Sequence, residues 1–182
     1  ETTQKLALRL GVEHPILAMS NTPVQTKIIT GEYGEIPFQE YFVKYGYQPV
    51  IQAIRFDGIE KASISSEVKH CIQNSDLVII CPSNPFVSIN PILSIPGMRN
   101  MLQDKAIVAV SPMIGGRTIK GPAAKMMSEL GMTPQSAVVA RYYSDLIAGF
   151  VMDRKDHAEA ESIRQCGIIS FETDILMPDE EI

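Results

Sequence analysis

The sequence predicts an α/β fold in which a mostly parallel sheet is flanked by helices and carries a small antiparallel extension. In the second part of the chain, short apolar strands alternate with helical segments, a rhythm typical of parallel strands joined by crossover helices. In the first part, β-branched and aromatic runs are separated by short polar turns, which favours antiparallel pairing. We therefore expect one domain with a parallel core and an antiparallel addition.

The elements of the first part follow from local signals. Thr3–Leu10 is typical of the last turns of a helix, which Gly11 closes. The strands and the helix expected next are Pro15–Met19, Thr26–Thr30, Ile36–Val43, Pro49–Phe56 and Ser66–Asn74. Thr26–Thr30 and Ile36–Val43 flank the Gly31–Gly34 turn and should form a hairpin. Ser65 or Ser66 is expected to cap the helix.

In the second part, strands and helices alternate. The expected strands are Leu77–Cys81, Ala106–Val110, Phe150–Met152 and Ile168–Phe171. The expected helices are Pro91–Gln103, Pro122–Leu130, Val138–Ile147 and Asp156–Cys166. Strand–helix–strand units of this kind pair in parallel through right-handed crossovers.

Length and charge limit the classes of function. The chain has 182 residues, enough for one domain with a sizeable core. Its formal net charge of −5 argues against nonspecific nucleic-acid binding, which needs an excess of Lys and Arg. No apolar run approaches the roughly 18 residues of a membrane span. Neither nucleic acid nor a membrane is therefore an expected partner.

The cysteines and histidines show no metal-site spacing. Cys71, Cys81 and Cys166 are widely spaced in apolar contexts, so we expect buried free thiols, which fit a reducing cytoplasm. The three histidines are scattered and are expected to be exposed rather than catalytic; they are His14, His70 and His157.

The first candidate site follows the Leu77–Cys81 strand. Ser83, Asn84 and Ser88 lie in a polar loop that leads to a helix start, where Asn90 is the expected cap and Pro91 the first helical residue. Open α/β sheets bind phosphate groups where a strand is followed by a polar loop and then by a helix N-terminus. The alternative is that these polar groups only cap the helix.

The second candidate site is Ser111–Lys125, which follows the next strand. Gly115 and Gly116 would let a ligand approach the backbone, and Arg117, Lys120 and Lys125 supply positive charge. The spacing is not that of a Walker phosphate loop. The alternative is a glycine-rich turn with solvated cations. Because the two loops follow neighbouring strands, they are expected to meet at one sheet edge.

Three weaker signals lie elsewhere. Ser20 and Thr26 belong to a polar cluster after the Pro15–Met19 strand, which by itself is typical of a turn. Tyr142 and Tyr143 are adjacent in a predicted helix, so Tyr142 can face a cleft while Tyr143 faces the core. The aromatic residues of the segment 38–42 are expected in the core.

Six stretches resemble the 2-phospho-L-lactate transferase family of coenzyme F(420) biosynthesis. They are ILAMSNTPVQT (Ile16–Thr26), FQEYFV (Phe38–Val43), RFDGIEKASIS (Arg55–Ser65), PSNPFVSINPILSIPGMR (Pro82–Arg99), VAVSPMIGGRTIKGPAAKMM (Val108–Met127) and DILM (Asp174–Met177). The chain departs from the family at Asn21-Thr22, where the family usually has Asp-Asp, and at Asn90, where it has Gly.

The resemblance implies a Rossmann-like fold in a longer protein, so that this chain is an incomplete domain whose glycine-rich first phosphate loop and Mg²⁺ ligands are missing. It implies transfer of a 2-phospho-L-lactyl or phosphoenolpyruvyl group from a GDP-linked donor to the deazaflavin Fo, with release of GMP. The protein would be cytoplasmic and form a homodimer.

The resemblance also implies roles for particular residues. Ser83, Asn84 and Ser88 would bind the guanosine diphosphate part, as their hydroxyl and amide groups suit phosphate and base edges. The donor or Fo side would be lined by Gly115, Gly116 and Lys120. Weaker candidates for the deazaflavin pocket are the Met19–Thr26 loop, with Ser20 and Thr26, and Tyr142.

Two other functions stay open. One is a nucleotide-sugar-binding regulator of the related gluconeogenesis-factor type, which would bind without transferring a group. The FQEYFV and RFDGIE stretches favour the transferase. The other is a purely structural α/β domain, which would not bind GDP.

Overall fold

The computed structural model describes residues 2–176. The chain begins with helix α1, Thr2–Arg9, as expected. A three-stranded antiparallel sheet follows, in the order β2–β1–β3. Its strands are β1 (Gln25–Thr30), β2 (Gly34–Pro37) and β3 (Ile51–Asp57). This sheet confirms the predicted antiparallel extension and its hairpin.

Two predictions in this part are wrong. Residues 15–19 form no strand: they pair with no strand of any sheet, and Pro15 has no backbone N–H to donate. The predicted strand Ile36–Val43 ends at Pro37, and Glu40–Lys44 form a π-helical turn. That turn brings Tyr41 into the core, where its side chain is fully buried and its hydroxyl donates to the Tyr47 carbonyl at 3.2 Å.

The central sheet is parallel and has four strands, in the order β4–β5–β8–β9. These are β4 (Leu77–Ile80), β5 (Ala106–Val110), β8 (Gly149–Asp153) and β9 (Ile169–Thr173), and a small hairpin of β6 (Met113–Ile114) and β7 (Arg117–Thr118) follows β5. The predicted α/β fold with a parallel core is confirmed.

Six further helices connect the strands. They are α2 (Ser66–Gln73), α3 (Asn90–Leu93), α4 (Met98–Leu102), α5 (Ala123–Glu129), α6 (Ser136–Tyr142) and α7 (Ala160–Arg164). Short helical turns also occur at Ile59–Lys61, Pro85–Ile89 and Arg154–Glu159. Ser65 caps α2 by accepting from the Val68 amide at 3.2 Å, as predicted.

The predicted helix Pro91–Gln103 is instead a series of three pieces. The first is the π-helical turn Pro85–Ile89, capped by Asn84 rather than Asn90. Helix α3 continues it, and the chain then breaks before Gly97, which has a left-handed φ of 84° and precedes α4. The helical path therefore starts six residues earlier than the Asn90-Pro91 pair indicated.

One face of the parallel sheet forms the main core. Ile107, Ala109, Phe150 and Met152 point to this face and are fully buried. Helix α5 links the core to the antiparallel sheet. Lys125 Nζ donates to the Pro49 carbonyl at 3.0 Å and pairs with Glu129 at 2.5 Å, and Glu129 accepts from the Ile51 amide at 3.1 Å. The antiparallel sheet is thereby fixed relative to the parallel one.

The expected burial of the cysteines is wrong. Cys71 lies on the outer side of α2 and Cys81 lies just after β4, and both are exposed, while Cys166 is half-buried. His14, His70 and His157 are exposed, as predicted. Within residues 2–176, no helix has the length and apolar character needed to cross a bilayer.

Candidate functional site

A cleft of about 530 Å³ opens at the carboxyl ends of β4 and β5. We call the segment after β4 the β4 wall (residues 82–88) and the segment after β5 the β5 wall (residues 111–123). The side chains that line the cleft are Phe38, Phe42, Pro82, Ser83, Asn84, Val87, Ser88, Ser111, Pro112, Ile114, Thr118, Ile119, Lys120, Gly121, Pro122, Ala123, Ile175 and Leu176. The two predicted loops therefore meet in one site, where open α/β sheets bind ligands.

Asn84 organises the β4 wall through its own side chain. Its Oδ1 accepts from the Phe86 amide at 2.9 Å and from the Val87 amide at 3.4 Å. Its Nδ2 lies 3.3 Å from Met126 Sδ. The oxygen is thus used as a helix cap, as the capping alternative proposed. An amide nitrogen has two hydrogens, so one remains for a ligand.

Ser83 and Ser88 differ from Asn84 because their hydroxyls make no hydrogen bond to the residues that the structure describes. Ser83 is half-buried and Ser88 is exposed, and both line the cleft. The backbone is fixed without their side chains, since the Ser83 amide donates to the Cys81 carbonyl at 2.7 Å and the Ser88 amide to the Asn84 carbonyl at 3.1 Å. Two hydroxyls are therefore held in place and can donate to or accept from a ligand.

Ser111 lies at the floor of the β5 wall in a buried hydrogen-bond chain. Ser136 Oγ donates to Asp156 Oδ2 at 2.8 Å, so its single hydrogen is used. Ser111 Oγ, 2.8 Å away, must then donate to Ser136. Ser111 also accepts from the Met113 amide at 3.0 Å. This hydroxyl is a structural group and has no hydrogen left for a ligand.

Asp156 connects that chain to the hairpin of the β5 wall. It is 4% exposed, and its Oδ1 accepts from the Gly115 amide at 2.8 Å. Gly115 and Gly116 form the two-residue turn between β6 and β7, with φ of 59° and 72°. Both positions of such a turn require positive φ, which explains the glycine pair.

Gly115 and Gly116 do not line the cleft, although their hairpin does through Ile114 and Thr118. The structure thus agrees with the glycine-turn alternative for the pair itself. The sequence alone does not indicate Asp156, because it is 41 residues from Gly115 and only the fold brings the two together.

Lys120 is exposed and lines the cleft, where it supplies a positive charge. Lys125 does not line it. Its ammonium group binds the Pro49 carbonyl and Glu129 and lies 5.9 Å from the centre of the Tyr41 ring. Lys125 is therefore a structural cation, contrary to its grouping with Lys120 in the sequence analysis.

The antiparallel part supplies an aromatic wall that the sequence analysis assigned to the core. Phe38 and Phe42 stack with ring centres 5.7 Å apart and line the cleft, while Tyr41 between them is buried. Their spacing of four residues places the two phenylalanines on one side of a helical turn. Ile175 and Leu176, which belong to the DILM stretch, also line the cleft; Met177 of that stretch lies outside the described residues.

Besides Gly115 and Gly116, three predicted residues lie outside the cleft: Ser20, Thr26 and Tyr142. Ser20 Oγ accepts from the Thr22 amide at 3.0 Å, which makes a local turn. Thr26 lies in β1 opposite Phe56 of β3. Tyr142 packs edge-to-face on Phe86, with ring centres 5.5 Å apart, and lines a separate open depression. Burial raises the pKa of the Tyr142 hydroxyl, so this group stays neutral at physiological pH.

No carboxylate of residues 2–176 lines the cleft. Among residues 2–176, no group of three or more His, Cys, Asp or Glu side chains could hold a metal ion. Glu159 is used for structure, since it accepts from the Ala137 amide at 2.7 Å, at the start of α6. Burial raises the pKa of Glu159, and the neighbouring charge of Asp156 adds to this.

Comparison with known proteins shows the family to which this chain belongs. Residues 1–176 match the profile of the family described as 2-phospho-L-lactate transferase CofD. The chain belongs to this family. A 2-phospho-L-lactate transferase of Methanosarcina mazei is 38% identical over 181 residues, which are all of this chain and 59% of that protein. The Methanosarcina barkeri protein of the same name is 39% identical over 97% of the chain and 57% of its own length.

The chain thus spans somewhat more than half of the CofD proteins it matches. A solved structure shows the same fold: a member of the UPF0052 family from Bacillus halodurans superposes with a TM-score of 0.61 at 12% identity, over 98% of this chain and 61% of that one. At this identity, the similarity establishes the fold only.

Proposed function

We propose that this chain forms part of a 2-phospho-L-lactate transferase that uses a GDP-linked donor and the deazaflavin Fo. In this reaction, the terminal hydroxyl oxygen of Fo attacks the phosphorus next to the lactyl or enolpyruvyl group. A new P–O bond forms, the bond to the bridging oxygen breaks, and GMP leaves with that oxygen and its electron pair. The hydroxyl proton passes to solvent.

One observation carries the proposal. In a chain of the 2-phospho-L-lactate transferase family, the carboxyl ends of two parallel strands converge on a cleft with two free hydroxyls and a lysine. Attack of an alcohol on a diphosphate depends on positioning and charge neutralisation more than on a strong nucleophile. The cleft offers uncharged donors for positioning and one cation for charge.

The residues have different proposed roles. Ser83, Ser88 and the free N–H of Asn84 would donate to oxygens of the GDP part. Lys120 would neutralise charge on the donor phosphates. The flat surface of Phe42 suits the deazaflavin ring, since aromatic rings stack with an offset. Gly115 and Gly116 would act indirectly, by fixing the hairpin that carries Ile114 and Thr118.

The cleft residues within 2–176 do not fit a magnesium site, because Mg²⁺ prefers carboxylate and phosphate oxygens and none of these residues has a carboxylate. The expectation that Mg²⁺ assists the reaction, through ligands outside this chain, remains a proposal from the resemblance.

We also propose a cytoplasmic location and a homodimer. The first is supported by three free cysteines, two of them exposed, which persist most readily in a reducing compartment. The homodimer rests on the resemblance, and mass determination by light scattering tests it.

The direct test is a chimera in which this chain replaces the matching part of the M. mazei transferase. The chimera is supplied with the GDP-linked phospholactate donor, Mg²⁺ and Fo, and GMP release is measured. Release that requires Fo is expected, and the enolpyruvyl donor run in parallel identifies the preferred group. Changing both Ser83 and Ser88 to Ala should lower kcat/KM, whereas Ser144→Ala, outside the cleft, should not.

A folded chimera that binds GDP without Fo-dependent GMP release would contradict the transferase and favour the regulatory alternative. A folded chimera that does not bind GDP would contradict both and favour a structural domain.

A further inference from the structure

The aromatic side of the cleft is carried by residues 38–50, which connect β2 to β3 and which we call the aromatic loop. This loop presents Phe38 and Phe42 to the cleft. It is built around the buried Tyr41, whose hydroxyl donates to the Tyr47 carbonyl at 3.2 Å. The Tyr47 amide in turn donates to the Tyr41 carbonyl at 2.9 Å. The position of Tyr41 therefore sets the position of the two phenylalanines.

Lys125 reaches the aromatic loop from α5 at two points. Its ammonium group donates to the Pro49 carbonyl at 3.0 Å and to the Tyr41 hydroxyl at 3.4 Å. It also lies 5.9 Å from the centre of the Tyr41 ring, which is close enough for a cation–π attraction. A single side chain thus holds both the middle of the loop, at Tyr41, and its end, at Pro49.

Glu129 holds Lys125 in this position from one helical turn further along α5. The two side chains are four residues apart, so they lie on the same face of the helix, and their charged groups are 2.5 Å apart. The other carboxylate oxygen of Glu129 accepts from the Ile51 amide at 3.1 Å, where β3 begins. The lysine side chain is 30% exposed and the glutamate side chain 15%, so salt screens this pair less than a surface pair.

Helix α5 also reaches the β5 wall. Pro122 and Ala123, at the start of the helix, line the cleft less than one turn before Lys125. The helix therefore connects the aromatic loop to the β5 wall. The cap of the β4 wall is supplied by its own Asn84 instead. A change at Lys125 should thus act on the aromatic side of the cleft and spare the hydroxyls of the β4 wall.

We propose that Lys125 is a positioning residue for the deazaflavin acceptor. The inference rests on the proposed function, in which the acceptor ring stacks on Phe42. Stacked rings are offset, with centres about 4.5–7 Å apart, so a displacement of the aromatic loop by roughly 1 Å weakens the contact. Lys125 does not line the cleft. It acts through Tyr41 and Pro49, which fix the place of Phe42.

The test compares the chimera with its variants Lys125→Met, Lys125→Arg and, as a matched control, Lys69→Met. Lys69 is an exposed lysine of α2 that does not line the cleft. Titration calorimetry measures the Kd of GDP alone and the Kd of Fo in the presence of GDP. Lys125→Met should raise the Kd of Fo about fivefold or more and change that of GDP by less than roughly twofold.

The other two variants should bind Fo more tightly than Lys125→Met. Lys125→Arg keeps a cation with several N–H donors for the Pro49 carbonyl and should restore most of the affinity for Fo. Lys69→Met should bind both ligands like the parent. A selective loss that the conservative variant rescues separates positioning of the acceptor from a general contribution to stability.

A second variant removes the effect of an unpaired charge. Without Lys125, the Glu129 carboxylate loses its partner, which destabilises the fold. Lys125→Met combined with Glu129→Gln removes that charge, keeps an oxygen for the Ile51 amide, and should show the same loss of affinity for Fo. Hydrogen exchange without ligand should be faster than in the parent at the Tyr45 and Tyr47 amides and unchanged in β5.

An equal rise in the Kd of both ligands would overturn the proposal, because Lys125 would then support the whole site. Unchanged affinity for Fo in the Lys125→Met chimera would also overturn it, as would a parent chimera that does not bind Fo. A parent that binds Fo but releases no GMP contradicts the transfer reaction alone, and the affinities of the variants then decide the role of Lys125.

Discussion

The β4 wall and the β5 wall face the same cleft, but the backbone of the first is capped by a side chain within a few residues, whereas the hairpin of the second is held by a carboxylate far away in the sequence. Asn84 caps its own helical turn through the next three residues. The hairpin of the β5 wall depends on Asp156, which is 41 residues from Gly115. The local wall leaves two hydroxyls free for a ligand, whereas the hydroxyl at the floor of the other wall is used for structure.

This difference matters for how the site tolerates change. A locally built wall keeps its shape when distant residues are altered. A wall held by a buried carboxylate loses its shape when that one group is removed, because the partners are left without hydrogen bonds. The next four predictions test this contrast.

The largest effect is expected for Asp156→Ala. The change leaves the Gly115 amide and the Ser136 hydroxyl without their acceptor in a buried site, which should lower the free energy of unfolding by about 2–4 kcal/mol. Urea denaturation of the chain measures it. Asp156→Asn keeps one acceptor oxygen, so its free energy of unfolding should lie between those of the parent and of the alanine variant. A loss below about 0.5 kcal/mol for the alanine variant would show that the β5 wall does not depend on this carboxylate.

A smaller effect is expected for Asn84→Ala, which removes the cap of the β4 wall and should cost about 1 kcal/mol. Asn84→Asp keeps an acceptor at the same place and should preserve stability in the same denaturation experiment. If the alanine variant lost more stability than Asp156→Ala, the contrast between the walls would be reversed. If both Asn84 variants bound GDP and turned over donor like the parent chimera, Asn84 would have no role in the site.

The paired change of Ser83 and Ser88 to Ala should leave stability within about 0.5 kcal/mol, because neither hydroxyl has a partner among residues 2–176. Binding should respond more strongly, since each lost hydrogen bond to a charged ligand is worth about 1.5–3 kcal/mol. Titration calorimetry of the chimera with GDP should show an affinity at least tenfold lower. Unchanged affinity would exclude these hydroxyls from the nucleotide site.

The smallest effect is a pH dependence at Glu159. Burial raises the pKa of this carboxyl in the folded state, so the folded protein binds the proton more tightly than the unfolded chain. The associated stability is present at low pH and is lost as pH rises through the folded pKa. Glu159→Gln keeps an acceptor for the Ala137 amide, and its Tm relative to the parent should rise by up to roughly 2 °C between pH 4 and 7. A Tm difference between Glu159→Gln and the parent that stays constant across this pH range would contradict the raised pKa of Glu159.

The sequence was sufficient for the parts of the fold that depend on local pattern. The apolar runs of β4 and β5 predicted parallel strands, and the polar loops after them predicted one site at their carboxyl ends. The serine cap of α2 was also evident. These features follow from residues close together in the chain, so the pattern contains the information.

The sequence was not sufficient where contacts between residues distant in the chain determine the local structure. The Ile36–Val43 run has strand-like composition, but burial of Tyr41 converts its end into a helical turn and directs Phe42 into the cleft. Nothing near Gly115 indicates Asp156 as its partner. The PILAM run is strand-like in composition but pairs with no strand of any sheet, and only the strand pairing reveals this.

The central claim is that both walls bind one guanine nucleotide, and hydrogen exchange of the chimera with and without GDP tests it most directly. We expect GDP to slow exchange of the amides in residues 82–88 and in residues 111–123 at the same GDP concentration, with no change in β1 or β3. Protection of one wall alone, or of neither while GDP binds elsewhere, would contradict the claim.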